Sequence, residues 1–130
     1  MQTNIGLTDE QREGVVLILN TLLADEYLLY TNTRNYHWNV VGPQFNDLHK
    51  FFEAQYNELN EIVDDVAERA RALGGHAMGT LAEFLKQTRL KEHQGAYPEA
   101  QEMIADLLAQ HEAKIRQLRV DLEAPADPRR

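Results

Sequence analysis

Apolar positions recur at intervals of three and four in three long stretches of the chain. In the first, Thr8 precedes Gln11 as a capping box, and Val16, Leu19, Leu23, Tyr27, Tyr30 and His37 follow on one stripe. This predicts a helix over 8–41, closed by Gly42-Pro43. A second helix is predicted over 43–73, with Phe45, Leu48, Phe52, Leu59, Val63, Val66, Ala70 and Leu73 as its buried stripe and Gly74-Gly75 as its stop. The run "TLAEFLKQT" predicts a short crossover helix over 80–88. Pro98 suits the first turn of a third long helix over 98–124, with Ile104, Leu107, Leu108, His111, Ile115, Leu118 and Leu122 facing inward and Pro125 and Pro128 closing it. Residues 1–7 and 125–130 read as tails. No alternating strand pattern or internal repeat is visible. The expectation is one all-α domain, a helical bundle of three long helices and a short one.

Composition narrows what such a bundle does. The 130 residues carry 21 acids against 13 bases, a formal charge of -8, which opposes binding to nucleic acid and to anionic membranes. There is no cysteine, so disulfides, zinc–thiolate sites and thiol chemistry are excluded. Any metal chemistry must use His, Asp and Glu. The opening "MQTNIGLTDEQREG" lacks the basic and apolar regions of a signal peptide, and the apolar runs are too short to span a bilayer. The expected location is cytoplasmic.

The polar residues around the first break carry the candidate chemistry. His37 and His49 stand on either side of Gly42-Pro43, amid Trp38, Phe45, Phe51 and Phe52. His49 and Glu53 are four apart and share a helix face, as do Asp64 and Glu68 further on. Each pair alone reads more readily as a solvated helix surface than as a site. Together they offer the mixed imidazole–carboxylate set that suits iron, manganese or zinc. His49 and Asp64 lie roughly 22 Å apart along one helix, at about 1.5 Å per residue, so they cannot hold one ion within one chain. If all four residues form a site, an antiparallel second copy, related by a two-fold axis near Glu58 and Leu59, supplies the other half.

The run "RNYHWNVVGPQFNDLHKFFEAQYNELNEIVDDVAERARALGG" resembles the signature of the Dps family, the mini-ferritins (DNA-binding protein from starved cells). The similarity extends from Thr8 to about Glu123 and rests on the H-W-N-V, F-x-x-L-H-x-x-F and D-x-x-A-E-R blocks. The resemblance implies a ferritin-like bundle assembled as a hollow dodecamer, with a ferroxidase centre shared across each two-fold dimer. Iron(II) is oxidised there, preferably by hydrogen peroxide, and stored as a ferric mineral, protecting against oxidative stress. Carried over, His37 of one chain with Asp64 and Glu68 of its partner binds the tighter iron. His49 and Glu53 serve the second position, with zinc or manganese as substitutes, and Trp38 lies beside the centre and absorbs stray oxidising equivalents.

Three departures from the family pattern shape the expectations. Glu53 stands where many members have aspartate, which implies a shifted or weaker second iron position. The segment before the first helix has no lysine, and only Arg129-Arg130 adds base at the other end, so no strong DNA binding is expected. The family's fourth long helix has no counterpart after "LEAPADPRR", and the chain reads as a truncated form. Two alternatives stand beside the ferroxidase: a DNA-binding nucleoid-protection protein, and a helical oligomer without ferroxidase activity. His111 reads as a packed core residue, His76 and His93 as surface residues, and Tyr27 and Tyr30 as core. No E-x-x-H occurs, so the intrachain di-iron arrangement of larger ferritin-like proteins is not encoded.

Overall fold

A computed structural model of the chain describes residues 4–123. The tail over 125–130, with its two prolines and two arginines, lies outside the described residues, as do the first three residues of the 1–7 tail. Four helices follow one another: α1 (Asp9–Asn39), α2 (Phe45–Ala72), α3 (Leu81–Gln87) and α4 (Ala100–Glu123). No strand forms among the described residues.

The caps explain where α1 and α2 begin and end. The Thr8 hydroxyl accepts from the Gln11 backbone N–H while the Gln11 side chain accepts from the Thr8 N–H, so the predicted capping box is present. At the end of α2, Gly74 N–H donates to Arg71 and Gly75 N–H to Ala70, the paired bonds of a Schellman stop. Gly74 takes φ 90°, which favours glycine. A Cβ on Gly75 would lie 2.5 Å from a Val16 methyl, so the missing side chain lets this turn press against α1. Pro98 lies outside the last helix, which opens two residues later than the pattern predicts, with Met103 N–H donating to the Glu99 carbonyl.

α1 is the central element, packed against α2, α3 and α4. One apolar cluster joins Leu29, Tyr36 and Val40 to Phe52 and Leu59 of α2 and Met103 and Leu107 of α4. A second packs Leu23, Ala24 and Leu28 against Phe84 of α3, flanked by Val63 and Val66. Because α1 has neighbours on several sides, its apolar residues spread around the helix instead of forming the single stripe expected. An 18-residue stretch of α1 is apolar enough, by length and composition alone, to cross a membrane, although its unbroken apolar runs are short. Here α1 is the core helix of a bundle.

Polar residues, too, run through this core. Asp25, 1% exposed, accepts from the Thr88 hydroxyl, from the Arg89 backbone N–H and from the Arg89 guanidinium. These bonds anchor the segment after α3 to α1. Lys114 of α4 pairs with Glu26 at 3.0 Å, both nearly enclosed. The Asn32 amide donates to Gln110 at 2.8 Å, and the Tyr36 hydroxyl donates to Asp106. Burial first, then the bond and charge of Asp106, push the Tyr36 phenol far above its usual range. His93, exposed as expected, also reaches Asp106 at 3.2 Å.

The inward stripe predicted for the last helix splits in two. Met103, Leu107, Gln110 and Lys114 face α1, whereas Ile104, Leu108, Ile115 and Leu122 are 43%, 59%, 50% and 75% exposed. Periodicity identifies an apolar arc, and one neighbouring helix covers only part of it. Phe45 is likewise more exposed than expected. Between α2 and α4 the uncovered arc forms a groove with Phe51, Phe52, Gln55, Leu107 and His111 along it.

His111 sits half-buried in that groove, and no partner reaches its Nε2. Burial, then the nearby Lys114 charge, hold its pKa below the usual 6.5. A histidine depressed on folding binds more protons when unfolded, so its neutral form stabilises the fold above the ordinary pKa and that contribution is lost as pH falls below it. Urea melts of wild type should therefore show stability declining as pH drops from about 7 to about 5. In His111→Leu the decline should be shallower. Parallel pH profiles for the two proteins would overturn this.

Candidate metal centre

The turn between α1 and α2 positions the site. Val40, 1% exposed, caps α1 in extended conformation and pins the turn into the core. Gly42 follows at φ 119°, a backbone that a side chain would strain. The chain reverses within a few residues and sets the last turn of α1 against the start of α2.

His37 and His49 come together there as a stacked pair, ring centroids 3.8 Å apart and 18° from parallel. Their hydrogen bonds are reciprocal. His37 Nδ1 donates to the His49 carbonyl at 2.7 Å, and His49 Nδ1 donates to the His37 carbonyl at 2.8 Å. A carbonyl oxygen only accepts, so both Nδ1 atoms must carry hydrogen. The Nε2 atoms of the neutral rings then hold the free lone pairs. Backbone bonding to the other ring nitrogen is the usual means of orienting a metal-binding imidazole.

Glu53, one turn after His49, completes the cluster. Ligand atoms of His37, His49 and Glu53 all lie within 4.8 Å of one another, and His37 Nε2 is 3.9 Å from Glu53 Oε2. Two atoms bound to one ion at about 2.1 Å each can be no more than about 4.2 Å apart, so this pair fits a shared cation. The His37 side chain is 6% exposed and that of Glu53 is 51% exposed, giving one fixed and one adaptable donor. Phe45 stacks on the His49 ring at 5.0 Å and Tyr56 meets the His37 ring edge-on at 5.1 Å.

Asp64 and Glu68 are not part of this cluster. Both are exposed near the far end of α2. Their distances from His49, roughly 22 Å for Asp64 and roughly 28 Å for Glu68 by helix rise, keep them from this ion within one chain. Trp38 is 61% exposed beside His37, with the Arg34 guanidinium over its ring at 4.9 Å. The same guanidinium lies over Tyr56 at 5.3 Å and donates to the Tyr30 hydroxyl at 2.6 Å. Sequence reasoning passed over Arg34 and Tyr56. The signal was helical spacing, since Arg34 precedes Trp38 by one turn and Tyr56 follows His49 by two.

Residues 16–124 match the sequence model of the ferritin-like domain. Over 110 residues the chain is 36% identical to DNA protection during starvation protein 2 of Bacillus anthracis, covering 84% of this chain and 74% of that protein. The chain belongs to the Dps family. A Dps structure from Vibrio cholerae, described as belonging to a superfamily of ferritin-like diiron-carboxylate proteins, superposes with a TM-score of 0.87. It is 35% identical, and the match covers 95% of this chain and 77% of that one. A low temperature-induced protein of Nostoc is 51% identical over 124 residues, 95% of this chain and 69% of the relative. The all-α, ferritin-like architecture expected from the sequence is thus that of a Dps protein.

Proposed function

We propose that the chain is a mini-ferritin subunit that oxidises iron(II) and sequesters the iron(III) formed. The observation that carries this reading is the His37–His49 pair, two imidazoles locked with free Nε2 atoms beside Glu53. Iron is the substrate here. Neutral imidazole retains affinity for iron(II), while carboxylate oxygen favours the harder iron(III), so a mixed set loads the reduced ion and stabilises its product. In this reading a second copy, antiparallel across α2, brings Asp64 and Glu68 to His37, and His49 with Glu53 holds a neighbouring iron. Two iron(II) ions then give peroxide its two electrons together, and two iron(III) and two waters result once two protons are taken up. A dodecameric shell around the product is proposed on the family's pattern.

Stopped-flow mixing of iron(II)-loaded protein with peroxide or with dioxygen tests the activity. The expected result is fast oxidation by peroxide, slower oxidation by dioxygen, and soluble iron(III) retained with the protein in gel filtration. Zinc or manganese added first should compete. Oxidation no faster than in buffer would overturn the reading. With a charge of -8, DNA retention in a gel shift is not expected.

A further inference from the structure

Four aromatic rings run from the metal centre along the inner side of α1. Tyr56 touches the His37 ring at 5.1 Å, Tyr30 meets Tyr56 edge-on at 5.9 Å, and Tyr27 follows Tyr30 at 5.7 Å. Tyr27 then stacks on Phe84 of α3 at 4.6 Å, 19° from parallel. Packing alone accounts for rings at such distances. It does not account for the charge placed among them. The Arg34 guanidinium lies over Tyr30, Tyr56 and Trp38, at 5.8, 5.3 and 4.9 Å, and hydrogen-bonds the Tyr30 oxygen.

We propose that Tyr56, Tyr30 and Tyr27 form a one-electron path from the His37 ring to Tyr27, which supplies an electron when peroxide meets a centre holding a single iron. The proposal rests on the ferroxidase reading above. A fixed positive charge over a π face attracts its electrons, so removing one is harder at Tyr30, Tyr56 and Trp38. Tyr27 stacks on neutral Phe84 instead, and an oxidising equivalent entering at Tyr56 therefore comes to rest there. Tyr27 also lines a cavity of about 150 Å³ together with Thr31, Leu81, Phe84, Leu85 and Glu92. Water or the Glu92 carboxylate in that cavity takes the phenol proton.

The electrons balance over three steps. One iron(II) cleaves peroxide to iron(III), hydroxide and a hydroxyl radical. The radical takes an electron passed from Tyr27 through Tyr30 and Tyr56 and becomes a second hydroxide, while Tyr27 releases its proton and is left as a neutral radical. A second iron(II) arriving later returns the electron, and the phenol regains its proton. The sum is two iron(II), one peroxide and two protons giving two iron(III) and two waters. The outcome matches that of the doubly loaded centre, without a diffusing radical.

Two measurements test this, and the first needs no iron. Azide radicals generated by pulse radiolysis oxidise exposed Trp38 in the metal-free protein, and the decay of tryptophanyl and growth of tyrosyl absorption are followed. Growth should be first order and independent of protein concentration. Tyr30→Phe should slow it about tenfold or more, the equivalent of raising the barrier by about 1.4 kcal/mol. Tyr27→Phe should change the tyrosyl electron paramagnetic resonance spectrum, and Tyr36→Phe, off the path, should change neither. In the second, protein with one iron(II) per chain is mixed with peroxide and a spin trap. Tyr27→Phe should raise trapped hydroxyl radical several-fold while oxidation at saturating iron stays unchanged. Identical spectra for wild type and Tyr27→Phe, or equal trapping, would overturn the path. Transfer in the first measurement with iron oxidation no faster than in buffer in the second would instead overturn the ferroxidase reading.

Discussion

A chain carrying His37→Ala and His49→Ala should lose the proposed iron(II) oxidation by peroxide by at least about a hundredfold, since even residues that only orient metal ligands cost 10–100-fold when removed. The loss is local. His49 is only half-buried and each ring bonds the other's backbone carbonyl, so removing both leaves two carbonyls at a helix junction that water can reach. Helix content and melting should therefore change far less than activity. A chain carrying Asp64→Ala and Glu68→Ala should be just as inactive, although these side chains are exposed and far from His37 in the same chain. Mixing the two inactive chains under conditions that exchange subunits should restore about half the sites in each heterodimer, by two-fold symmetry. Native mass spectrometry verifies that heterodimers form. A mixture that forms them and stays inactive would rule out a site shared between chains.

The second large effect is on stability. Lys114→Met should destabilise the fold by about 3–5 kcal/mol, because it strands the Glu26 carboxylate in the core without its counter-charge. Glu26 Oε2 already lacks a hydrogen-bond partner, so no other group stands ready to take over. For a domain of this size the melting temperature should fall by about 10–20 °C. Glu26→Leu added to Lys114→Met removes both charges and should recover most of the stability. Denaturant melts of the two single variants and the double variant check this. A double variant no more stable than the worse single one would show that the pair holds the helices in place by something other than charge compensation.

Much of the architecture was legible because helix signals are local. The capping box at Thr8–Gln11, the Gly42-Pro43 break and the Gly74-Gly75 stop act within a few residues of backbone, so their chemistry is written where they act. The same holds for His37, His49 and Glu53. Two of them share a helix face by spacing, and the third is returned by a turn whose residues announce it. Asp25, Glu26 and Lys114 gave no such signal. An acid within an apolar stretch looks like an exposed interruption until the residue that answers it is known, and Arg89 and Lys114 are more than sixty positions away.

The sequence by itself determined that the chain is helical, where its helices break, which residue types are available to a metal, and that cysteine chemistry is absent. Each of these follows from composition or from short-range backbone preference. Tertiary structure alone decided which side of α4 is covered, because an apolar arc does not name its neighbour. It also decided that both imidazoles carry hydrogen on Nδ1, since each bond goes to a carbonyl on the other helix. It decided too that Tyr27, Tyr30 and Tyr56 line up behind His37 with Arg34 among them. Spacing along one helix places residues on a face. Only the packing of a second helix fixes which rings touch, and at what distance.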